Sequence, residues 1–359
     1  MKVAIVNDSR TAAEVLRRIV AELPEFDLLW TAYSGEEALR LCASSRPDIV
    51  LMDLIMPGID GAETTRRIMQ SSPCVILVVT ATTVGNRDQV FEAMGYGALD
   101  AVNTPRLGPT DDMSGAEPLL QKLRTVARLV SPPRAHPALR TPVHIPHLSS
   151  KIQEAPSLPV IAIGCSTGGP QALAQVLSSL PANLPAAILV AQHVDEQFAP
   201  GLAAWLQHHS PLPIRIAANG DRAAPGTVWI AGSGDHLIYE DRLEGEGVLS
   251  YTPIPRETAY RPSVDVLFTS LAQARRAGGI GVLLTGMGRD GAEGLLALRN
   301  AGWLTIAQDA GSSVVYGMPK AAADLLAAVE ILPLDSIGPR IRSAIPAATL
   351  SPASLATNS

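Results

Sequence analysis

The sequence predicts an α/β protein of two units: an N-terminal (βα)5 domain and a C-terminal doubly wound, mainly parallel α/β domain. Three observations carry this. Short β-branched runs alternate with helical patterns through both halves, which is the signature of a parallel sheet covered on both faces. A proline-rich stretch over 131–158 separates the two series. The chain of 359 residues is also too long for one ordinary core.

In order along the first domain, 1–130, the runs Val3 to Val6, Leu28 to Thr31, Ile49 to Met52, Val75 to Val79 and Ala98 to Val102 read as strands. Between the first two, Val15, Leu16, Ile19, Val20 and Leu23 fall on one face of a helix over Ala12 to Leu23. Leu119, Leu120, Leu123, Val126 and Val130 mark a last helix from about Ala116. The stretch 131–158 holds Pro132, Pro133, Pro137, Pro142, Pro146 and Pro156, so it reads as an extended, semi-rigid linker. His136, His144 and His147 lie there, but a loose linker lacks the surrounding groups that orient metal ligands. The second domain, 159–347, resumes with strands at Val160 to Ile163, Ala187 to Ala191, Val228 to Ala231, Ile280 to Leu284 and Leu304 to Ala307. A short tail, 348–359, follows.

Composition narrows the function. Hydrophobic residues at 47% and charged residues at 17% describe a folded chain, and a net charge of −6 argues against nucleic acid as the main partner. Cys42, Cys74 and Cys165 show no paired spacing, which suits a reducing compartment without disulfides or a zinc site. The opening segment meets Asn7 and Asp8 after four apolar residues, too few for a signal-peptide core. No run reaches the roughly 18 apolar residues that a membrane span needs. A cytoplasmic protein without membrane insertion is expected.

Ligands of open parallel sheets gather beyond the carboxyl ends of strands. In the first domain those ends carry Asn7-Asp8, Asp53 and Thr80. Oxygen ligands converging there would suit Mg²⁺, and a carboxylate beside the cation could accept a phosphoryl group. Polar strand ends without further role are the plainer reading. The segment Val50-Leu-Met-Asp53-Leu-Ile-Met-Pro57-Gly-Ile-Asp-Gly61 resembles the phosphoacceptor segment of bacterial response-regulator receiver domains. The resemblance implies that Asp53 is phosphorylated, that Asp8 and Asp53 hold Mg²⁺, and that Thr80 is the switch hydroxyl. Two positions depart from the family pattern: Asn7 stands where an acid is usual, and Thr104 precedes Pro105 where a lysine is usual. Losing a carboxylate weakens cation binding, and losing the ammonium removes a phosphate contact. The same two features resemble the methylesterases of surface-sensing, Wsp-type pathways.

In the second domain, Ile163-Gly164-Cys165-Ser166-Thr167-Gly168-Gly169 reads as strand, glycine turn and helix start. A phosphate cradle lacks its GxGxxG or P-loop lysine here. The segment fits G-x-S-x-G, which would lift Ser166 to the sheet edge as a nucleophile, or it holds a serine helix cap. A serine nucleophile needs a histidine base and a carboxylate to orient it. His193 ends the strand Ala187 to Gln192, whereas His208 and His209 lie on an exposed-looking helix and His236 on a Gly-Asp loop. Asp290, in Leu284-Thr-Gly-Met-Gly-Arg-Asp290-Gly291, is the acid candidate, with a plain helix cap as the alternative. The order Ser166, His193, Asp290 differs from that of common α/β-hydrolases, where the acid precedes the histidine.

That order, with Ala191-Gln-His193, Tyr260-Arg-Pro-Ser-Val-Asp-Val-Leu-Phe268 and Val315-Tyr-Gly-Met-Pro319, resembles the chemotaxis protein-glutamate methylesterase family over nearly the whole chain. The resemblance implies a receiver domain joined to a serine esterase that demethylates, and also deamidates, side chains on the cytoplasmic helical bundle of a chemoreceptor. It implies Ser166, His193 and Asp290 as the triad, oxyanion donors at the Thr167 and Met287 amides, and a histidine kinase as phosphodonor. In that scheme the unphosphorylated receiver covers the esterase cleft. Tyr260 to Ser263 would line that cleft or form a structural loop. A non-catalytic phosphate sink and an unrelated small-ester hydrolase are the competing functions, and the chain order disfavours the latter.

Overall fold

The structure is a computed structural model that describes residues 1–80, 87–105, 113–130, 159–241, 247–256, 258, 260–274 and 279–345. The linker 131–158 and the tail 348–359 lie outside the described residues.

The N-terminal domain runs β1 (Lys2–Val6), α1 (Arg10–Ala21), β2 (Asp27–Ala32), α2 (Gly35–Ser44), β3 (Ile49–Met52), α3 (Gly61–Ser71), β4 (Val75–Thr80), α4 (Arg87–Gly95), β5 (Asp100–Asn103) and α5 (Glu117–Val130). Its five strands are ordered β2-β1-β3-β4-β5 and every neighbouring pair is parallel. The sheet is apolar on both faces because helices cover both. Val3, Ile5, Ile49, Leu51 and Leu77 meet Leu16, Ile19, Leu119 and Leu123 in one buried cluster. Side-chain caps fix the helix starts: Ser9 accepts from the Ala12 amide, Ser34 from Glu37 and Asp60 from Glu63. The Ser9 cap begins α1 two residues before the expected Ala12, where the apolar periodicity is still silent. At Gly61 a Cβ would lie 2.0 Å from the Asp53 carbonyl oxygen, so only glycine lets α3 start this close to the end of β3.

The second domain runs β6 (Val160–Cys165), α6 (Gly169–Ser178), β7 (Ala187–Gln192), α7 (Ala199–Gln207), β8 (Ile214–Ile216), β9 (Val228–Ile230), β10 (His236–Asp241), β11 (Gly247–Thr252), α8 (Val264–Gln273), β12 (Gly279–Leu283), α9 (Ala292–Asn300), β13 (Leu304–Gln308), α10 (Met318–Asp324), β14 (Glu330–Leu332) and α11 (Leu334–Ala344). Seven of these strands form a parallel sheet ordered β14-β13-β12-β6-β7-β9-β8. The chain leaves β6 toward β7 on one side and later returns to β12 on the other. That reversal makes the carboxyl ends of β12, β6 and β7 the crevice where such sheets bind ligands. β6 and β7 are buried at every residue, as central strands between two helical layers should be.

Two histidine expectations change. His236 is not on a loop but is the first residue of β10, which pairs antiparallel with β11, and it is fully buried. The glycines and Asp235 just before it suggested irregular backbone, while the ladder from His236 to Asp241 is set by β11. His208 and His209 lie in an exposed turn just past the end of α7, not on the helix.

Candidate active site

The register of β6 against β7 brings two of the expected residues to neighbouring strand ends. Cys165 pairs with Gln192, and the His193 amide donates to the Cys165 carbonyl at 3.0 Å. Ser166 and His193 are therefore the next residues out along paired strands. Beyond Ser166 the chain turns sharply: the Gly169 amide donates to the Ser166 carbonyl at 2.7 Å, and Gly168 takes a φ of +76°. A left-handed residue at this point suits glycine and lets α6 begin at once. Neighbouring Cys165 is completely buried, which pushes its thiol far above the usual range. That thiol cannot serve as a thiolate nucleophile, which leaves the serine hydroxyl as the nucleophile candidate of this turn.

Asp290 follows β12, on the far side of β6. It does not cap the helix after it, since the cap of α9 is Gly291, left-handed and without a side-chain bond. Its carboxylate turns instead to the N-terminus of α8. Oδ2 accepts from the Val264 amide at 2.7 Å, and Oδ1 accepts from the Ser263 hydroxyl at 2.8 Å and the Asp265 amide at 3.1 Å. Oδ2 also meets His193 Nε2 at 2.7 Å. Helix-terminal amides and the helix dipole both favour an anion here. Burial alone would push the Asp290 carboxyl up, yet the His193 bond and charge, the Val264 amide and the Ser263 hydroxyl bring it down to about 2.

An ionised Asp290 fixes the imidazole. Its Oδ2 accepts a hydrogen bond from Nε2–H, so Nε2 carries the hydrogen and Nδ1 carries the bare lone pair. His193 Nδ1 is buried and has no hydrogen-bond partner among the described residues. An unpaired buried acceptor costs free energy, and a catalytic role is one reason a fold retains it. The ring also stacks on Tyr260, with centroids 4.1 Å apart and planes within 5°. Tyr260 thus restrains the one rotation that the Asp290 bond leaves soft.

Glycines set the helix against the sheet. A Cβ on Gly164 would come 2.2 Å from Val264 Cγ1, and one on Gly291, at φ +87°, would come 2.6 Å from the same atom. Val264 sits in the notch these two residues leave, directly at the turn of α8 that holds Asp290. Next to Asp290, burial raises the Asp265 carboxyl and the Asp290 charge adds to that, while the Gly294 amide, donating at 2.6 Å, opposes it. A cleft of about 820 Å³ opens beside Asp290, lined among others by Ile254, Tyr260, Gln273, Arg289 and Glu293. Met287 lies in the loop after β12, where the Gly286 carbonyl accepts from the Gly317 and Met318 amides at 3.2 and 2.9 Å.

The N-terminal sheet also gathers its candidates at strand ends. Asp8 follows β1, Asp53 follows β3 and Thr80 ends β4, with β3 between β1 and β4. Asp53 accepts a long bond from the Ile55 amide at 3.3 Å. Burial, chiefly, and the Asp8 charge raise its carboxyl, against the Ile55 amide and the nearby Thr80 hydroxyl. Thr80 is buried, and its hydroxyl makes no hydrogen bond of regular geometry among the described residues. Two acids that repel each other, beside an unsatisfied hydroxyl, fit a site for a divalent cation and a phosphoryl group. Asn7 does not add to it: its Oδ1 accepts from the Ser9 amide at 2.9 Å. No cluster of three or more His, Cys, Asp or Glu side chains suited to a metal occurs among the described residues. Thr104 is tied by its amide to the Thr80 carbonyl at 3.1 Å.

Sequence reasoning did not find Ser263 as a support of Asp290, nor the stacking of Tyr260. The Arg261-Pro-Ser263 run before an apolar helix was a capping signal, but a cap points to its own helix and not to Asp290. Among the described residues, no helix is long and apolar enough to cross a membrane.

A family model described as CheB methylesterase matches residues 161–341, and one described as response regulator receiver domain matches residues 3–106. The protein-glutamate methylesterase/protein-glutamine glutaminase 1 of Cupriavidus pinatubonensis is 52% identical over 341 residues, covering 95% of this chain and 96% of that protein. The enzyme of the same name, numbered 3, from Pseudomonas aeruginosa is 48% identical over 341 residues, covering 95% and 98%. The crystal structure of the Thermotoga maritima CheB methylesterase catalytic domain is 33% identical with a TM-score of 0.49, over 52% of this chain and 97% of that one. With a family match across half its length and relatives near 50% identity over almost all of it, the chain belongs to the CheB methylesterase family and carries a response-regulator receiver domain at its N-terminus.

Proposed function

We propose that the chain is a phosphorylation-regulated protein-glutamate methylesterase and protein-glutamine glutaminase, acting in the cytoplasm on the helical bundle of chemoreceptors. Residues 1–130 form the receiver, 131–158 the linker and 159–347 the catalytic domain. The observation that carries the hydrolase reading is the His193 imidazole, held at Nε2 by Asp290 at 2.7 Å with its buried Nδ1 bare of any hydrogen-bond partner among the described residues.

The chemistry follows from that ring. His193 Nδ1 takes the Ser166 proton as the serine oxygen bonds to the carbonyl carbon of a glutamate γ-methyl ester. Asp290 stabilises the imidazolium without taking its proton. The tetrahedral oxyanion is met by the Thr167 and Met287 amides, each worth about 3 kcal/mol by comparison with other acyl-transfer sites. Nδ1 returns its proton to the methoxy oxygen, the C–O bond breaks and methanol leaves. Water, deprotonated by the same nitrogen, then releases free glutamate from Ser166. With glutamine in place of the ester, ammonia is the leaving group and the product is again glutamate.

In the receiver, Asp53 is the phosphoacceptor and Thr80 the switch hydroxyl, with a chemotaxis-type histidine kinase as donor. Asp8 and Asp53 would hold Mg²⁺, which when bound offsets charge on the transferred phosphoryl group. Methanol release from methylated receptor membranes tests the reading. Ser166→Ala should lower the rate at least about 10³-fold, and a variant as active as the wild type would overturn it.

A further inference from the structure

The acid of the triad is held by Ser263, and Ser263 is itself held by a histidine from another part of the chain. His236 is fully buried at the start of β10. Its Nδ1 lies 3.0 Å from the Ser263 amide nitrogen, and its Nε2 lies 3.0 Å from the Pro255 carbonyl oxygen. A backbone amide can only donate and a carbonyl can only accept. The neighbours therefore dictate a single form: a neutral imidazole, bare at Nδ1 and protonated at Nε2. Thr258 Oγ1, 3.3 Å from Nε2, adds a third contact on the same side.

Ser263 links this ring to the reaction. It is 2% exposed, its hydroxyl donates to Asp290 Oδ1 at 2.8 Å, and it caps α8 by accepting from the Val266 amide at 3.4 Å. The Asp290 carboxylate then orients His193. His236 thus holds the backbone of Ser263 through its amide, and from the Ser263 hydroxyl a line of side-chain hydrogen bonds runs through Asp290 to His193. A capping serine whose own amide was free could rock about the helix start, and the carboxylate would follow it.

We propose that His236 is a positioning residue of the esterase, whose neutral imidazole fixes Ser263 and through it the angle at which Asp290 presents His193 to the nucleophile. The proposal rests on the hydrolase reading above. It competes with a simpler role, in which His236 only anchors the Pro255 loop through Nε2. The two nitrogens separate these roles. Asparagine places an amide oxygen where Nδ1 accepts, whereas glutamine reaches the Nε2 position and leaves the Ser263 amide without an acceptor.

The test uses the full-length protein and methylated receptor membranes, with thermal unfolding of each variant as a folding control. Positioning predicts that His236→Gln loses about 10- to 100-fold in kcat with KM little changed. His236→Asn should recover to within about fivefold of wild type. Combining His236→Gln with Ser263→Ala should cost little more than Ser263→Ala alone, because both act through one carboxylate. Rescue by glutamine and not asparagine, a loss confined to KM, or additive losses in the double variant would overturn the proposal. If His236→Ala does not fold, the asparagine and glutamine pair and the double variant still decide it. Failure of the hydrolase reading looks different: Ser166→Ala would then match wild type, whereas an active, Ser166-dependent enzyme indifferent to His236→Gln sinks the positioning role alone.

Discussion

Asp53 and Asp290 are both aspartates just beyond the carboxyl end of a parallel strand, both partly or largely buried, and they are pushed in opposite directions. Burial opposes ionisation in each and is the largest influence on each. Asp290 overcomes it with an imidazole, a hydroxyl and two helix-terminal amides. Asp53 has the long Ile55 amide bond, the Leu54 amide and the Thr80 hydroxyl, which do not offset burial and the adverse charge of Asp8. The difference teaches that place in the sheet offers a carboxylate a site, while the donors around it choose the role. A fully satisfied carboxylate is a rigid orienter; an under-satisfied one is open to a cation or a phosphoryl group.

The sharpest way to break this contrast is to remove the charge of Asp290. Asp290→Asn should cut kcat for methanol release by about 10⁴-fold, because the amide cannot hold the required imidazole tautomer. A loss smaller than tenfold would mean His193 is oriented by Tyr260 stacking instead. Stability in acid gives the second test. The folded Asp290 pKa is depressed to about 2, so its stabilisation is present above the unfolded value near 4 and is lost as pH falls from there toward 2. Denaturant unfolding of the catalytic domain should therefore show wild type losing about 2 kcal/mol more than Asp290→Asn across that window. Equal pH slopes would show that the carboxylate is not favoured by folding.

Asp53 should behave with the opposite sign. Its raised pKa means ionisation is penalised in the folded state, and the penalty persists at neutral pH. Asp53→Asn should raise the midpoint of the receiver transition modestly, because the variant removes the buried, repelled charge. Mg²⁺ should raise the wild-type midpoint and leave Asp53→Asn nearly unmoved. If Mg²⁺ stabilises both equally, the two acids do not share a cation.

Much of this was legible in the sequence because strand and helix periods alternate so regularly. The five receiver strands and the central strands of the second sheet carry enough apolar residues to announce themselves. β8 and β14 have only three residues each and sit at sheet edges, where half-exposed side chains blur the pattern. The β10–β11 hairpin was hidden because glycine, serine and aspartate lead into it. Ser166, His193 and Asp290 stood out because strand ends are few and their chemistry is distinctive. The supports of Asp290 did not. Ser263 and Val264 reach it from 27 and 26 positions away, the latter through a backbone amide that no residue type advertises. His236 acts on it only through Ser263.

The notch left by Gly164 and Gly291 around Val264 bears on how this catalytic domain can be altered. A methyl group at position 164 would wedge α8 off the sheet, and the donors to Asp290 would travel with the helix. Grafts that exchange loops around the cleft should therefore carry the glycine pair and Val264 as one unit, since the seat for the Asp290 carboxylate is carved by what those two positions omit.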